Sequence, residues 1–107
     1  MLYYIIDKNA RGAKQEHKMK AVITVVGKDM VGILAKVSGE CAKYNANVIE
    51  VTQSVLQEMF AMVMLVDITA LSVEMSAFSK AMDELGRESA LSIHVMHEDI
   101  FNSMHRI

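Results

Sequence analysis

Apolar and polar positions along this chain repeat in blocks whose periods predict four β-strands. Residues 21–26 form a β-branched run that stops at Gly27, which is typical of a buried strand. Residues 47–56 alternate between apolar and polar positions, and residues 59–68 follow after a short turn, so these two segments predict a β-hairpin. Residues 91–96 alternate again and predict the fourth strand.

Two segments between these strands repeat with the three- and four-residue spacing of amphipathic helices. The first helix is expected to follow Asp29 as its N-cap and to end near Asn45. Its apolar stripe consists of Met30, Ile33, Leu34, Val37, Cys41 and Tyr44. The second helix is expected to be capped by Ser72 and to end at Gly86. Its stripe consists of Leu71, Met75, Phe78, Met82 and Leu85. A short amphipathic tail with Ile100, Phe101, Met104 and Ile107 follows the last strand.

The resulting order, β-α-β-β-α-β, predicts an α+β fold of the ferredoxin-like sandwich type. Right-handed crossovers would place the first and third strands at the centre of an antiparallel sheet, with both helices on one face. The third strand is nevertheless apolar on both sides, with Met62, Met64 and Val66 opposite Ala61, Val63 and Leu65. In the second strand, Ile49, Val51 and Val55 are expected to share one face.

An apolar open sheet face is rarely left in water, so something is expected to cover it. The candidates are a second subunit, the N-terminal arm and the C-terminal tail, and we predict a homodimer. The arm is residues 1–18, in which the apolar segment 2–6 precedes a polar, basic stretch. It is either a leader or misassigned start before Met19, or a real extension that packs on the body or on a neighbour. The domain proper is expected to be residues 19–107.

Length and composition restrict the class of protein. The chain has 107 residues, of which 52% are hydrophobic and 22% charged, so it has enough apolar material for one folded domain. Its net charge of -2 disfavours broad binding to nucleic acid backbones. The longest apolar run, residues 59–66, is far shorter than the roughly 20 residues of a membrane-spanning helix. The single cysteine, Cys41, cannot form an internal disulfide, so a cytoplasmic location is expected.

The turn between the first strand and the first helix is the best candidate for a binding site. Gly27 and Gly32 have the spacing of a phosphate-binding loop, but Ile33 and Leu34 stand where Lys and Ser or Thr are required. Backbone N–H groups near Gly32 and Ile33 would instead attract a small carboxylate, and Asp29 would receive an ammonium group. The alternative is that Asp29 only caps the helix and Gly32 only permits tight packing.

The motif Asp29-x-x-Gly32-Ile33-Leu34 after a strand, followed by Asn47-Val48-Ile49 at the start of the next, resembles the ACT domain family. The resemblance extends from Met19 to Ile107 and is closest to the small stand-alone ACT-domain proteins. It implies a regulatory module that binds amino acids or similar small molecules at a subunit interface. The residues it assigns to the ligand site are Asp29, Val31, Gly32, Ile33, Leu34, Asn47 and Ile49. Many members have Pro where Val31 stands, and some serine-binding members have a ligand-contacting His where Gly27 stands, so the resemblance does not specify the ligand.

Asn47 also has a structural interpretation, because Asn-Ala-Asn between a helix and a strand is ordinary turn chemistry. As a ligand contact, its amide would donate to a carboxylate and accept from an ammonium group. Cys41 lies on the apolar stripe and is interpreted as a core thiol. His94 and His97 are expected on opposite faces of a strand, where they cannot chelate one ion together. Neither a metal nor a cofactor is expected.

These observations favour a non-enzymatic homodimer that senses an amino acid and changes how a partner protein docks or how its own subunits pack. The chain shows no paired acid and base and no activated nucleophile. The main alternative is a protein–protein interaction module whose pocket is closed by Met30, Ile33 or Leu34. An RNA-binding domain ranks lower, because the central strands offer chiefly Phe60 for base stacking.

Overall fold

Four strands form one antiparallel sheet in the order β2-β3-β1-β4 in the computed structural model of the chain. The structure describes residues 19–28 and 32–104, without the side chain of Leu56. The strands are β1 (Lys20–Gly27), β2 (Asn47–Leu56), β3 (Met59–Asp67) and β4 (Ser92–His97). The helices are α1 (Ile33–Lys43), α2 (Met75–Ser89) and α3 (Glu98–Met104). The predicted arm, residues 1–18, lies outside the described residues.

The hydrophobic core lies between the sheet and the two longer helices. From β1 and β3 it takes every second residue, namely Ala21, Ile23, Val25, Met62, Met64 and Val66, all fully buried. Across from them, α1 and α2 contribute Ile33, Val37, Cys41, Phe78 and Met82. The predicted fold class, the central position of the first and third strands and the placement of both helices on one face are therefore confirmed.

The opposite face of the sheet is partly covered by the C-terminal helix. α3 packs against β1 and β4, and Val22, which points to this face, is only 3% exposed. Val22, Val63 and Phe101 line a cavity of about 240 Å³ between the sheet and α3. The sequence suggested three candidates for covering this face of the sheet. Within the described residues, the C-terminal tail is the candidate that lies on it. No helix in the described part of the chain is long and apolar enough to cross a bilayer.

One register shift in β2 changes which of its residues face the core. Val48 pairs with Val66 and Glu50 pairs with Leu65, so Ile49 is the extra residue of a β-bulge. Val48 and Val51 pack against the core, while Ile49 remains 47% exposed. The prediction that Ile49 shares one face with Val51 and Val55 is wrong, because the bulge interrupts the alternation.

The predicted helix ends are less accurate than the predicted helices. Gly32, not Asp29, is the N-cap of α1, so that prediction is wrong; Asp29 itself lies outside the described residues. The predicted limits of α2 are also wrong: its N-cap is Glu74 rather than Ser72, and the helix continues past Gly86 to Ser89.

α2 ends at Ala90 instead, which adopts a left-handed conformation with φ 59°. The backbone N–H groups of Ala90 and Leu91 both donate to the carbonyl oxygen of Gly86, the latter at 2.8 Å. Gly86 has a packing role, because a Cβ there would lie 2.7 Å from the Leu91 carbonyl oxygen and 3.2 Å from Ile93 Cγ1. Gly86 therefore does not terminate the helix. Its missing side chain allows β4 to lie close to α2.

Substitution of Gly86 by alanine should therefore destabilise the fold. A methyl group against the Leu91 carbonyl forces a backbone shift that outweighs the better helix propensity of alanine, for a net loss of about 1 to 2 kcal/mol in the free energy of unfolding. Gly39→Ala is the matched control, because nothing lies within 4 Å of a Cβ at this helical position. It should leave the stability unchanged or raise it by up to about 1 kcal/mol. Urea unfolding checks both, and equal effects of the two substitutions would contradict this account.

Candidate ligand site

The first half of the candidate site is the N-terminal end of α1. Gly32 has φ 74° and ψ 2°, a left-handed conformation that strains residues with a side chain, and its carbonyl oxygen accepts the first helical bond from the N–H of Lys36 at 3.0 Å. The N–H groups of Ile33, Leu34 and Ala35 therefore have no acceptor inside the helix. Together with the helix dipole, they form a positive end that favours an anionic group.

The side chains that follow Gly32 point in different directions. Ile33 is 2% exposed and belongs to the core, so only its backbone is available to a ligand. Leu34 is 40% exposed and offers apolar surface beside the helix start. Asp29 and Val31, the other two residues predicted for this half, lie outside the described residues, as does Met30.

The second half of the candidate site is the start of β2. Asn45 adopts a left-handed conformation with φ 66°, and its Nδ2 donates to the Ala70 carbonyl oxygen at 2.9 Å. Asn47 is exposed, and its side chain makes no hydrogen bond to a described residue. Asn45 therefore supplies the turn chemistry that the sequence also allowed for Asn47, and leaves the Asn47 amide available.

Asn47 lines an open cavity of about 450 Å³ at this end of the molecule. Asp67 and Thr69 line the same cavity, and neither was identified from the sequence as a site residue. The Thr69 N–H donates to Asp67 Oδ1 at 2.9 Å, and Thr69 Oγ1 accepts from the Met19 N–H at 2.9 Å. The available signal was the position of Asp67, which is the first polar residue after the apolar run 59–66.

The two halves lie at opposite ends of one protomer. Gly27, which precedes the loop to α1, pairs with Phe60, whereas Lys20 and Asn47 both pair with Asp67 at the other end of β3. An eight-residue strand such as β1 spans about 25 Å. Gly32, Ile33 and Leu34 are therefore together at one end, and Asn47 and the exposed Ile49 are together at the other. A single protomer does not bring the two groups within reach of one small ligand.

Neither Cys41 nor the histidines of β4 line the cavity beside Asn47. Cys41 is fully buried, and burial, with a smaller contribution from the neighbouring Glu40 charge, raises the pKa of its thiol from 9.0 to about 11. His94 Nε2 lies 3.2 Å from Ser92 Oγ, and His97 Nδ1 lies 3.7 Å from Asp99 Oδ2. Within residues 19–28 and 32–104, no three His, Cys, Asp or Glu side chains are grouped to hold a metal ion.

The element order, the antiparallel sheet and the two helices on one face define a ferredoxin-like α+β domain. The family model described as "ACT domain" matches residues 20–96, and the chain therefore belongs to the ACT domain family. This confirms the resemblance seen in the sequence.

Individual relatives agree with this assignment. A UPF0237 protein from Clostridium perfringens is 46% identical over 89 residues, which are 83% of this chain and 100% of that protein. The structure of an ACT domain protein from Streptococcus pneumoniae has a TM-score of 0.70 and 35% identity, and the match covers 78% of this chain and 93% of that one. A formyltetrahydrofolate deformylase from Pseudomonas syringae has a TM-score of 0.69 at 18% identity, covering 85% of this chain and 32% of that one. This last likeness shows the shared fold.

The raised pKa of Cys41 predicts a specific loss of stability in alkali. The thiol titrates at about 11 in the folded protein and near 9.0 when it is exposed, so its contribution is complete below pH 9 and is lost as the pH rises through 11. The expected loss is up to about 3 kcal/mol in the free energy of unfolding. Urea unfolding between pH 8 and 11 measures the free energy of unfolding of the wild type and of Cys41→Ala. The difference between the two proteins isolates the thiol, because the other titrating groups are the same in both. Parallel pH profiles would contradict the assignment.

Proposed function

We propose that this protein is a non-catalytic regulatory module that binds an amino acid, or a similar small zwitterion, between two copies of the chain. The observation that carries the proposal is that the start of α1 and the cavity beside Asn47 lie at opposite ends of one protomer. The α1 end supplies the N–H groups that follow Gly32 for a carboxylate, and the proposal assigns Asp29, Val31, Gly32, Ile33 and Leu34 to this half. The β2 end supplies the free amide of Asn47 beside the exposed Ile49.

The outer edge of β2 supports a two-fold pairing that would join these halves. β2 is an edge strand of ten residues, so one side of its backbone pairs with no other strand among the described residues. Val55 on this strand is 57% exposed. Antiparallel pairing of β2 with its copy would put Asn47 of one protomer beside the α1 start of the other. Because such an interface is isologous, it would create two equivalent sites.

A ligand in this position would regulate by favouring one arrangement of the subunits over another. Binding shifts an equilibrium only to the extent that the ligand prefers one state, and a ligand that contacts both protomers prefers the paired state. The carboxylate would lie against the helix start and the ammonium group toward the β2 end. The buried free thiol of Cys41 is compatible with the reducing cytoplasm that we expect as the location.

Calorimetric titration of the protein with each standard amino acid tests ligand binding directly. At least one should bind, and Asn47→Ala should weaken that binding about 10- to 100-fold, because a hydrogen bond to a charged group contributes about 1.5 to 3 kcal/mol. Asn102→Ala is the matched control, since Asn102 is exposed on α3 and lines a different cavity. If no amino acid produces heat, ligand sensing is ruled out, and a ligand-free protein–protein interaction module becomes the better reading.

The position of the dimer interface can be tested by charge insertion. Val55→Glu should dissociate the dimer, because it places a carboxylate on the unpaired edge of β2. Ile100→Glu should leave the dimer intact, because Ile100, although 55% exposed, lies on α3 over the opposite sheet face. Sedimentation velocity reads the oligomeric state of both variants. If Ile100→Glu dissociates the dimer and Val55→Glu does not, the interface lies on the open face of the sheet. Such an interface would not bring the two half-sites together.

A further inference from the structure

We propose that Asp67 receives the ammonium group of the bound molecule, so that the site selects primary ammonium compounds over the corresponding hydroxy acids. This inference rests on the proposed function, because the carboxylate of the same ligand needs the helix start of a second protomer. It adds a specificity-determining residue at the end of β3, where the motif in the sequence indicated none.

The register of the sheet places Asp67 beside Asn47. The two residues are direct partners in the antiparallel pairing of β2 with β3, so their side chains lie on the same face, with Cβ atoms about 5 Å apart. Both line the cavity of about 450 Å³ that opens at this end of the protomer. An ammonium group between them would meet the carboxylate of one and the amide oxygen of the other.

The hydrogen bonds around Asp67 hold its carboxylate in place and leave acceptor positions for a ligand. Oδ1 accepts from the Thr69 N–H at 2.9 Å, and Thr69 is itself held by the bond from the Met19 N–H to its Oγ1. Lys20 is the register partner of Asp67 on β1, yet no described cationic side chain lies within ion-pairing distance of this carboxylate. A carboxylate has about four acceptor positions, so capacity for a ligand remains.

The charges at the two half-sites are complementary to a zwitterion. The α1 start carries positive N–H groups, and the cavity at the start of β2 carries the Asp67 carboxylate, so each attracts the opposite end of an amino acid. This arrangement assigns the ammonium group to Asp67 rather than to Asp29, which precedes Gly32 by three residues in the sequence. A 2-hydroxy acid has the same carboxylate but leaves Asp67 without a cation.

Calorimetry with paired ligands tests this assignment. Each standard amino acid that binds the wild type should bind Asp67→Asn at least about tenfold more weakly, a loss expected for a bond between charged groups. The 2-hydroxy analogue of that amino acid should bind both proteins equally weakly. Asp83→Asn is the matched control, because Asp83 is exposed and pairs with Arg87 on α2. Unchanged amino acid affinity in Asp67→Asn, or a hydroxy acid that binds as tightly as its amino acid, would refute the inference and leave the proposed function standing.

A second measurement does not depend on the dimer or on amino acid binding. Methylammonium chloride, titrated against a sodium chloride blank of equal ionic strength, should shift the backbone amide resonances of Asn47, Asp67 and Thr69 in the wild type. Asp67→Asn should abolish these shifts while keeping the rest of the spectrum. Absence of the shifts in the wild type would overturn the assignment. If they occur and no amino acid binds, the ammonium subsite is retained and the proposed function fails.

Discussion

The packing of the central strands against two helices is the constraint on which the rest of the structure depends. Ile23 and Met64, from β1 and β3, and Phe78, from α2, are all fully buried in one cluster. Because α1 packs on this face of the sheet and runs from the Gly27 end to the Asn47 end, its two termini are held apart. The helix start and the start of β2 are therefore separated by the same burial that stabilises the fold. A ligand that needs both must be shared between two copies of the chain.

Two residues with unusual roles set the geometry around this core. Gly32 begins α1 from a left-handed conformation, and no side chain caps the first N–H groups of the helix. Gly86 lets the chain return closely beside α2, while Ala90 ends that helix. The first arrangement leaves N–H groups that the proposed ligand would use, whereas the second permits a close packing contact. Gly32 is therefore required for its backbone conformation and Gly86 for its missing side chain, and only their surroundings distinguish the two roles.

The sequence predicted features that depend on local spacing and missed those that depend on distant partners. Apolar periodicity was sufficient for the order of elements, the central strands and the inward residues of β3, because each follows from the geometry of one segment. The bulge at Ile49 depends on how β2 pairs with β3, and the packing role of Gly86 depends on the Leu91 carbonyl. Asp67 was missed for the same reason, since only the strand register brings it beside Asn47.

A ligand shared between subunits connects binding to assembly. When one molecule contacts both protomers, its binding free energy also stabilises their pairing, and by linkage the paired state must bind it more tightly by the same factor. Each protomer offers one helix start and one Asn47–Asp67 cavity, so a two-fold pair has two equivalent sites, and neither can be completed by one chain. The concentration of the ligand would then determine what fraction of the subunits is paired through the edge of β2. The proposed module would need no catalytic group, because the change in pairing would itself be the signal to a partner protein.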